Sequence, residues 1–352
     1  MRGHRVHFFC RPVYNKKMYT NKAKLKDTNE RRIAAHKEAT IRVMHEALGS
    51  GMWGMEFDEA GETMQKKEEY RQISIEGCKL IGMGAHGKVY RIGPDEIVKV
   101  YREDIPLSKI QAEKEKSRKA LILGLPTAIS FDIVKVGKNY GAVYELIDAE
   151  STEKYIGRSR ENLDRFISMS VELLKFIHSI KVNKDEFPDM KADHLKWLEN
   201  ARELLGDDKA DRIKGIIEEV PDTETLLHGD FHIKNIIISK GEPMLIDMDT
   251  LCYGDPVFDL ATISNSYYSF PRMAADAATG FLGISVEDAD HIWQQTLKLY
   301  HPEMDKAELL KREKICRILG CLRILDFGKR GGDPEHRELI IRKSLEFIDS
   351  LM

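Results

Sequence analysis

The sequence predicts an α+β chain with two lobes, a small β-rich one over 71–148 and a larger, mainly helical one over 149–352. Three observations carry that reading. Aliphatic and β-branched runs separated by Gly, Pro and Asn turns fill 73–146. From Arg160 to the C-terminus, apolar residues recur mostly at helical spacing. The helical half is interrupted by two aliphatic runs, 236–239 and 244–246, around a turn at 240–243 that holds Gly241 and Pro243. That pattern is a β-hairpin.

The 352 residues suit two domains, or one bilobal unit with an extension. An apolar share of 42% supports a sizeable core, and a net charge of −3 gives no general attraction to nucleic acid or to membranes. No apolar run approaches a membrane span, and the run at 7–10 is too short for a secretion signal. Cys10, Cys78, Cys252, Cys316 and Cys321 show no metal-ligand spacing, so reduced thiols in a cytoplasmic protein are expected.

Residues 1–70 read as a basic, then helical, extension. The first 37 residues hold eleven Lys and Arg against two acids, the pattern of a solvated tail. Helical spacing follows over 29–48, and Gly49-Ser50-Gly51 stops it. A charged segment, 65–71, leads into the β-rich lobe.

In that lobe 78–81 leads into Gly82, Gly84 and Gly87, a G-x-G-x-x-G, followed by a β-type run at 88–92. In dinucleotide-binding folds the third glycine of this motif opens a helix, whereas here a strand follows. Glycine backbones without side chains can close over phosphates. Lys99 lies between β-branched neighbours in the strand 97–101, where a buried lysine needs an anionic partner. The helix 107–123 offers Glu113, which shares a face with Ile110, Ser117 and Ala120; Glu115 is the alternative, since sequence leaves the register open. Strands at 129–136 and 141–146 complete the lobe.

The helical lobe opens with an amphipathic helix over 160–180 whose His178 reads as a packed or capping residue. Residues 183–224 are acidic and mostly helical, either a solvated face or the lining of a cleft for a cation. The hairpin comes next. Asp230 and Asn235 stand on the loop entering its first strand; Asp247 and Asp249 directly follow its second. Hairpin closure therefore brings Asp230, Asn235 and Asp247 together. One carboxylate can accept a proton from a hydroxyl, while an amide oxygen and a second carboxylate suit Mg²⁺. Helices follow at 260–269, 286–300, 306–329 and 334–351. Tyr267, Tyr268, Phe270, Trp293 and Tyr300 serve either the core or a cage for quaternary ammonium.

H-G-D-F-H-I-K-N at 228–235, I-D at 246–247 and G-D-P-V-F-D-L-A at 254–261 resemble the aminoglycoside phosphotransferase (APH)/choline kinase-like family, the small-molecule branch of the protein-kinase-like fold. The likeness extends from about Ile73 to the C-terminus, with the separate motifs in the expected order. It implies a bilobal kinase-like fold that uses ATP and Mg²⁺ to phosphorylate a small-molecule hydroxyl. Asp230 is then the catalytic base, and Asn235 and Asp247 are metal ligands. His228 supports the loop, Asp259 ties the following helix back to it, and Asp249 stands beside the metal ligands. Gly82, Gly84 and Gly87 cover the phosphates, Lys99 with Glu113 positions them, and the backbone of Glu145 and Ile147 holds the adenine. One departure concerns His232, which stands two residues after the base where protein kinases carry a lysine; it joins the candidate catalytic set. The six residues between Asp247 and Gly254 leave no room for a loop that docks a protein substrate. The stretch 47–61 resembles the opening of a PAS-type sensor domain, but only a fragment of one fits.

Two rival readings are testable. A nucleotide-binding regulatory protein would keep these motifs without turnover. A metallohydrolase would use His228, Asp230 and His232 as one metal cluster, but it leaves the glycine loop and Lys99 without a role.

Overall fold

The computed structural model describes residues 70–84, 86–273, 277–330 and 334–352. The extension expected over 1–70 lies, up to Tyr70, outside the described residues, as does Ala85 of the glycine loop. Residues Glu69–Leu123 and Thr127–Met352 make one compact unit.

Its first part is an antiparallel five-stranded sheet of order β1-β2-β3-β5-β4. The strands are β1 (Lys79–Gly84), β2 (Gly87–Arg91), β3 (Glu96–Tyr101), β4 (Ser130–Val136) and β5 (Asn139–Glu145), with helix α1 (Leu107–Ile122) between β3 and β4 in sequence. The alternation of side chains along β3 decides where its residues go. Val98 and Val100 pack with Val134, Val136 and Val143 in one apolar cluster. Tyr101 joins Ile110 of α1, Ile133 and Ala142 in another. Lys99 has the parity of Tyr101, so it is on the side of the sheet that meets α1, facing the helix that carries Glu113.

The helical part comprises β6 (Glu150–Ser151), α2 (Thr152–Ile156), α3 (Arg160–His178), α4 (Met190–Leu205), α5 (Asp207–Glu218) and β7 (Leu226–Leu227). The hairpin β8 (Ile236–Ser239) and β9 (Glu242–Leu245) and strand β10 (Cys252–Tyr253) come next. The remaining helices are α6 (Val257–Ser264), α7 (Phe270–Met273), α8 (Val286–Tyr300), α9 (Lys306–Arg330) and α10 (Pro334–Leu351). α3 buries the face read from the sequence, Leu163, Phe166, Ile167, Ser170, Leu174 and Ile177, and Ser159 caps its N-terminus by accepting the Asn162 N–H. The helix expected to start at 260 begins at Val257 and runs into a π-helical stretch, Asn265–Ser269.

The hairpin turn is tighter than the sequence suggests. Ser239 faces Glu242, which leaves Lys240 and Gly241 as a two-residue turn with φ of 51° and 77°. Positive φ at both central residues marks the turn type that matches strand twist. Pro243, expected in the turn, sits opposite Ile238 on β9, at the edge of its three-stranded sheet, where a proline can stand without a ladder donor.

Candidate active site

The site grows from the open end of the hairpin. The Ile246 N–H bonds to the Asn235 carbonyl at 2.9 Å, which fixes Asn235 beside Asp247. The Asn235 side-chain nitrogen donates to Asp230 twice, to its carbonyl at 2.9 Å and to Oδ2 at 3.2 Å. With its nitrogen so used, the amide oxygen of Asn235 is left as its acceptor. Asp247 adopts φ 63°, a conformation that costs a non-glycine residue energy and that Asp tolerates better than most. Asn235 thus meets Asp230 through its side chain and the strand end that carries Asp247 through its backbone.

A second layer holds the Asp230 loop. Asp259, fully buried, accepts the His228 N–H at 2.8 Å on Oδ2 and the Gly229 N–H at 2.7 Å on Oδ1. His178 Nε2 lies 3.0 Å from Oδ2 of the same carboxylate, and its Nδ1 lies 2.7 Å from the Tyr300 hydroxyl. Burial alone would raise the Asp259 pKa; the His178 hydrogen bond and the neighbouring imidazoles reverse that and hold it below the usual carboxylate range. The buried His228 accepts the Asp230 N–H on Nδ1 at 3.3 Å, and burial lowers its pKa. Gly229 has φ 79°, and a Cβ there would collide with the Thr250 carbonyl. Tyr267 accepts the Ile233 N–H at 2.7 Å, just beyond Asp230.

Two basic side chains flank Asp230. His232 Nε2 stands 3.3 Å from Oδ2, while its Nδ1 accepts the Lys234 N–H and caps the short turn Ile233–Asn235. The ring is buried, so the geometry makes His232 a support for the carboxylate. Arg323 of α9 puts Nη1 3.2 Å from Oδ1 and donates to the Gly229 carbonyl at 2.6 Å. Burial works against the Asp230 charge, but the His232 hydrogen bond and the Arg323 charge outweigh it and leave the carboxylate well below its ordinary pKa.

Across from this loop, Lys99 Nζ donates to Glu113 Oε1 at 2.7 Å and stands 3.5 Å from Asp247 Oδ1. Burial opposes the ammonium charge, yet Asp247 and Glu113 together raise its pKa. Glu115 pairs with Arg118 at the surface instead. Asp249, read beforehand as a neighbour of the metal ligands, offers a carboxylate oxygen to the same cluster: those of Glu113, Asp247 and Asp249 lie within 4.8 Å of one another. Burial, and then the Asp247 charge, pushes the Asp249 pKa up to about 6. Glu113 Oε2 is buried and has no hydrogen-bond partner among the described residues. Three carboxylates this close, with one oxygen unsatisfied, suit a divalent cation. His228, Asp230 and His232 do not form such a group among the described residues.

The glycines separate by role. At Gly87 a Cβ would collide with the Val100 carbonyl of β3, so its absence lets two strands approach. At Gly84 nothing lies within 4 Å of that position, so its backbone faces open space; Gly82 meets only Val89. At the end of β5, the Glu145 N–H bonds to Ile129 O and the Leu146 N–H to Asp95 O, while Ile147 makes no such bond among the described residues. The aromatics do not form one cage. Trp293 is buried with Nε1 on Glu313, Tyr300 binds His178, and Tyr268 packs against Arg272 and Arg317.

A family profile described as the APH phosphotransferase enzyme family matches residues 77–290, more than half of the chain. The chain belongs to this family. No curated protein sequence matches it significantly. Among solved structures, a thermostable mutant of aminoglycoside phosphotransferase APH(4)-Ia, in ternary complex with ADP and hygromycin B, superposes with a TM-score of 0.56 at 13% identity, covering 78% of this chain and 96% of that one. Amicoumacin kinase hAmiN with AMP-PNP, Ca²⁺ and Ami gives 0.54 at 16% identity, over 80% and 90%. A choline/ethanolamine kinase family protein from Mesorhizobium loti gives 0.50 at 14%, over 78% and 87%. At these identities the likeness shows the fold, a bilobal kinase-like α+β architecture.

Several residues of this phosphotransferase site had no local signal. Arg323 lies 94 residues from the Gly229 carbonyl it binds, within an ordinary amphipathic helix. Tyr267 and Tyr300 read as core aromatics or as parts of a cage, and His178 as a packed or capping residue. Only the packing of α3, the π-helical stretch Asn265–Ser269, α8 and α9 around the loop reveals their hydrogen bonds. Lys116, whose Nζ donates to the Asp249 carbonyl at 2.6 Å, carries no signal in the sequence.

Proposed function

We propose that the protein transfers the γ-phosphoryl group of ATP to a hydroxyl of a small molecule. The observation that carries this reading is the convergence of Asp230, fixed by Asn235, His232 and Arg323, with a Lys99–Glu113 pair that also touches Asp247. Membership of the phosphotransferase family supports it, as do the nucleotides named in the complexes of similar fold. Residues 71–148 serve as the nucleotide-binding lobe and 149–352 as the catalytic and substrate-binding lobe.

The backbone at Gly82, Gly84 and Gly87 closes over the phosphates, and Lys99 holds them by charge. Backbone groups of Glu145 and Ile147 bind the adenine edge. Asn235 and Asp247, with Asp249 and Glu113 beside them, would hold Mg²⁺, which when bound neutralises charge on the β- and γ-phosphates. Asp230 orients the acceptor hydroxyl and takes its proton late in the transfer. Its depressed pKa suits alignment better than early proton abstraction. His232 and Arg323 keep the carboxylate in place.

The test is calorimetry of the purified protein with ATP, with and without Mg²⁺, followed by ATP-consumption assays over amino-alcohols, aminoglycosides, sugars and hydroxy acids. Mg²⁺-dependent ATP binding and acceptor-dependent consumption are expected. An absence of ATP binding would end the proposal, and binding without acceptor-dependent consumption would replace it with a regulatory role.

A further inference from the structure

The Asp230 carboxylate carries a neighbour that phosphoryl transfer does not itself require. Oδ2 receives Asn235 and His232, so Oδ1 is the oxygen left for an acceptor hydroxyl. Arg323 lies at that oxygen, 3.2 Å away. A guanidinium has five N–H donors. Nη1 donates to Gly229 O and forms an ion pair with Asp230 Oδ1; Nε and Nη2 have no hydrogen bond among the described residues. The side chain is 29% exposed, so this edge is not sealed in the core.

Among the described residues, the carboxylate within ion-pair distance of the guanidinium is that of Asp230, and it meets Nη1. The guanidinium runs near His194, which is buried between Trp197 and Phe258 and binds the Met190 carbonyl through Nδ1 at 2.9 Å. Burial first, and the Arg323 charge with it, lowers the His194 pKa to about 4, so that imidazole is neutral and sets no like charge beside the guanidinium. The carboxylates of Glu113 and Asp247, with Asp249 beside them, pair with Lys99 instead.

We infer that the open edge of Arg323 binds an anionic group of the acceptor, so that the substrate is a hydroxyl compound bearing a carboxylate or phosphate within a few bonds of the phosphorylated oxygen. This rests on the phosphotransferase reading above. A planar guanidinium with two parallel donors matches a carboxylate or phosphate, whereas an amino-alcohol or aminoglycoside would bring a cation against it. Fixing the anion one or two bonds from the hydroxyl also orients that hydroxyl toward Asp230 Oδ1, which is a gain in proximity.

The experiment uses the full chain with ATP and Mg²⁺ and matched acceptors: glycerate against glyceramide and glycerol, gluconate against glucose and glucosamine, and glycerol phosphate against glycerol. At least one anionic acceptor should exceed its neutral partner by about tenfold or more in kcat/KM. Carboxylate and phosphate arms distinguish the two forms of anion. Arg323→Ala should raise KM for the anionic acceptor by about tenfold or more without a matching rise in KM for ATP, and Arg323→Lys should recover part of the loss. If Arg323→Ala fails to fold, Arg323→Gln gives the same comparison with a neutral side chain of similar reach. Turnover confined to neutral or cationic acceptors overturns the inference while leaving the kinase reading intact. So does a nucleotide-loaded protein that neither binds nor phosphorylates any of the anions. Failure to bind ATP at all condemns the parent reading instead.

Discussion

Replacing Glu113 tests whether the Lys99 pair is a functional device of the nucleotide lobe. At 2.7 Å and an effective dielectric near 20, the attraction is about 6 kcal/mol, much of it offset by the desolvation of both groups. Breaking a buried pair from one side typically costs about 3–5 kcal/mol. Lys99 keeps Asp247 at 3.5 Å and is 16% exposed, so Glu113→Gln should cost less, about 2 kcal/mol. Lys99→Met leaves Glu113, only 4% exposed, without its cation and should cost about 3 kcal/mol. The double variant should recover about 2 kcal/mol of the summed loss, because neither buried charge then stands alone. Urea unfolding without nucleotide gives the stabilities, and ATP titration of the same four proteins shows whether the pair also organises phosphates. A coupling below about 0.5 kcal/mol, or an equal effect from Glu115→Gln, would refute the reasoning.

Two further outcomes concern Gly229 of the catalytic loop and the buried His194. Gly229→Ala combines positive φ with a Cβ against the Thr250 carbonyl, so it should lose about 2 kcal/mol or more in urea unfolding; a neutral result would show that the loop can move aside. His194 has a folded pKa near 4 against about 6.5 unfolded, so the unfolded chain takes the proton first as pH falls. Its contribution is present above pH 6.5 and is lost between there and pH 4, amounting to about 3 kcal/mol. Urea midpoints at pH 7.5, 6 and 5 should show a smaller decline for His194→Phe than for the unchanged protein, and parallel declines would contradict it.

The parts of the fold legible in the sequence are those with strong local pattern. Period-two runs place β3 and β5, the 3.6-residue stripe places α3, and the hairpin geometry alone predicts that Asn235 and Asp247 meet. Helical phase selects Glu113 over Glu115 only once Lys99 is known to face α1. What stayed hidden is non-local: Arg323, Tyr267 and His178 reach the Asp230 loop because separate helices pack around it, and no spacing encodes that. The turn at Lys240 and Gly241 was misjudged because Pro243 resembles a turn residue, yet at a sheet edge its missing donor is harmless.

Asp230 bears the central claim, and Asp230→Asn tests it most directly. The substitution keeps the size and most hydrogen bonds of the side chain but removes the base and the charge that Arg323 and His232 hold. With an acceptor found by the ATP-consumption screen, turnover should fall by about 10²–10⁴ while ATP·Mg²⁺ affinity stays within about threefold. Full activity in Asp230→Asn would contradict the account.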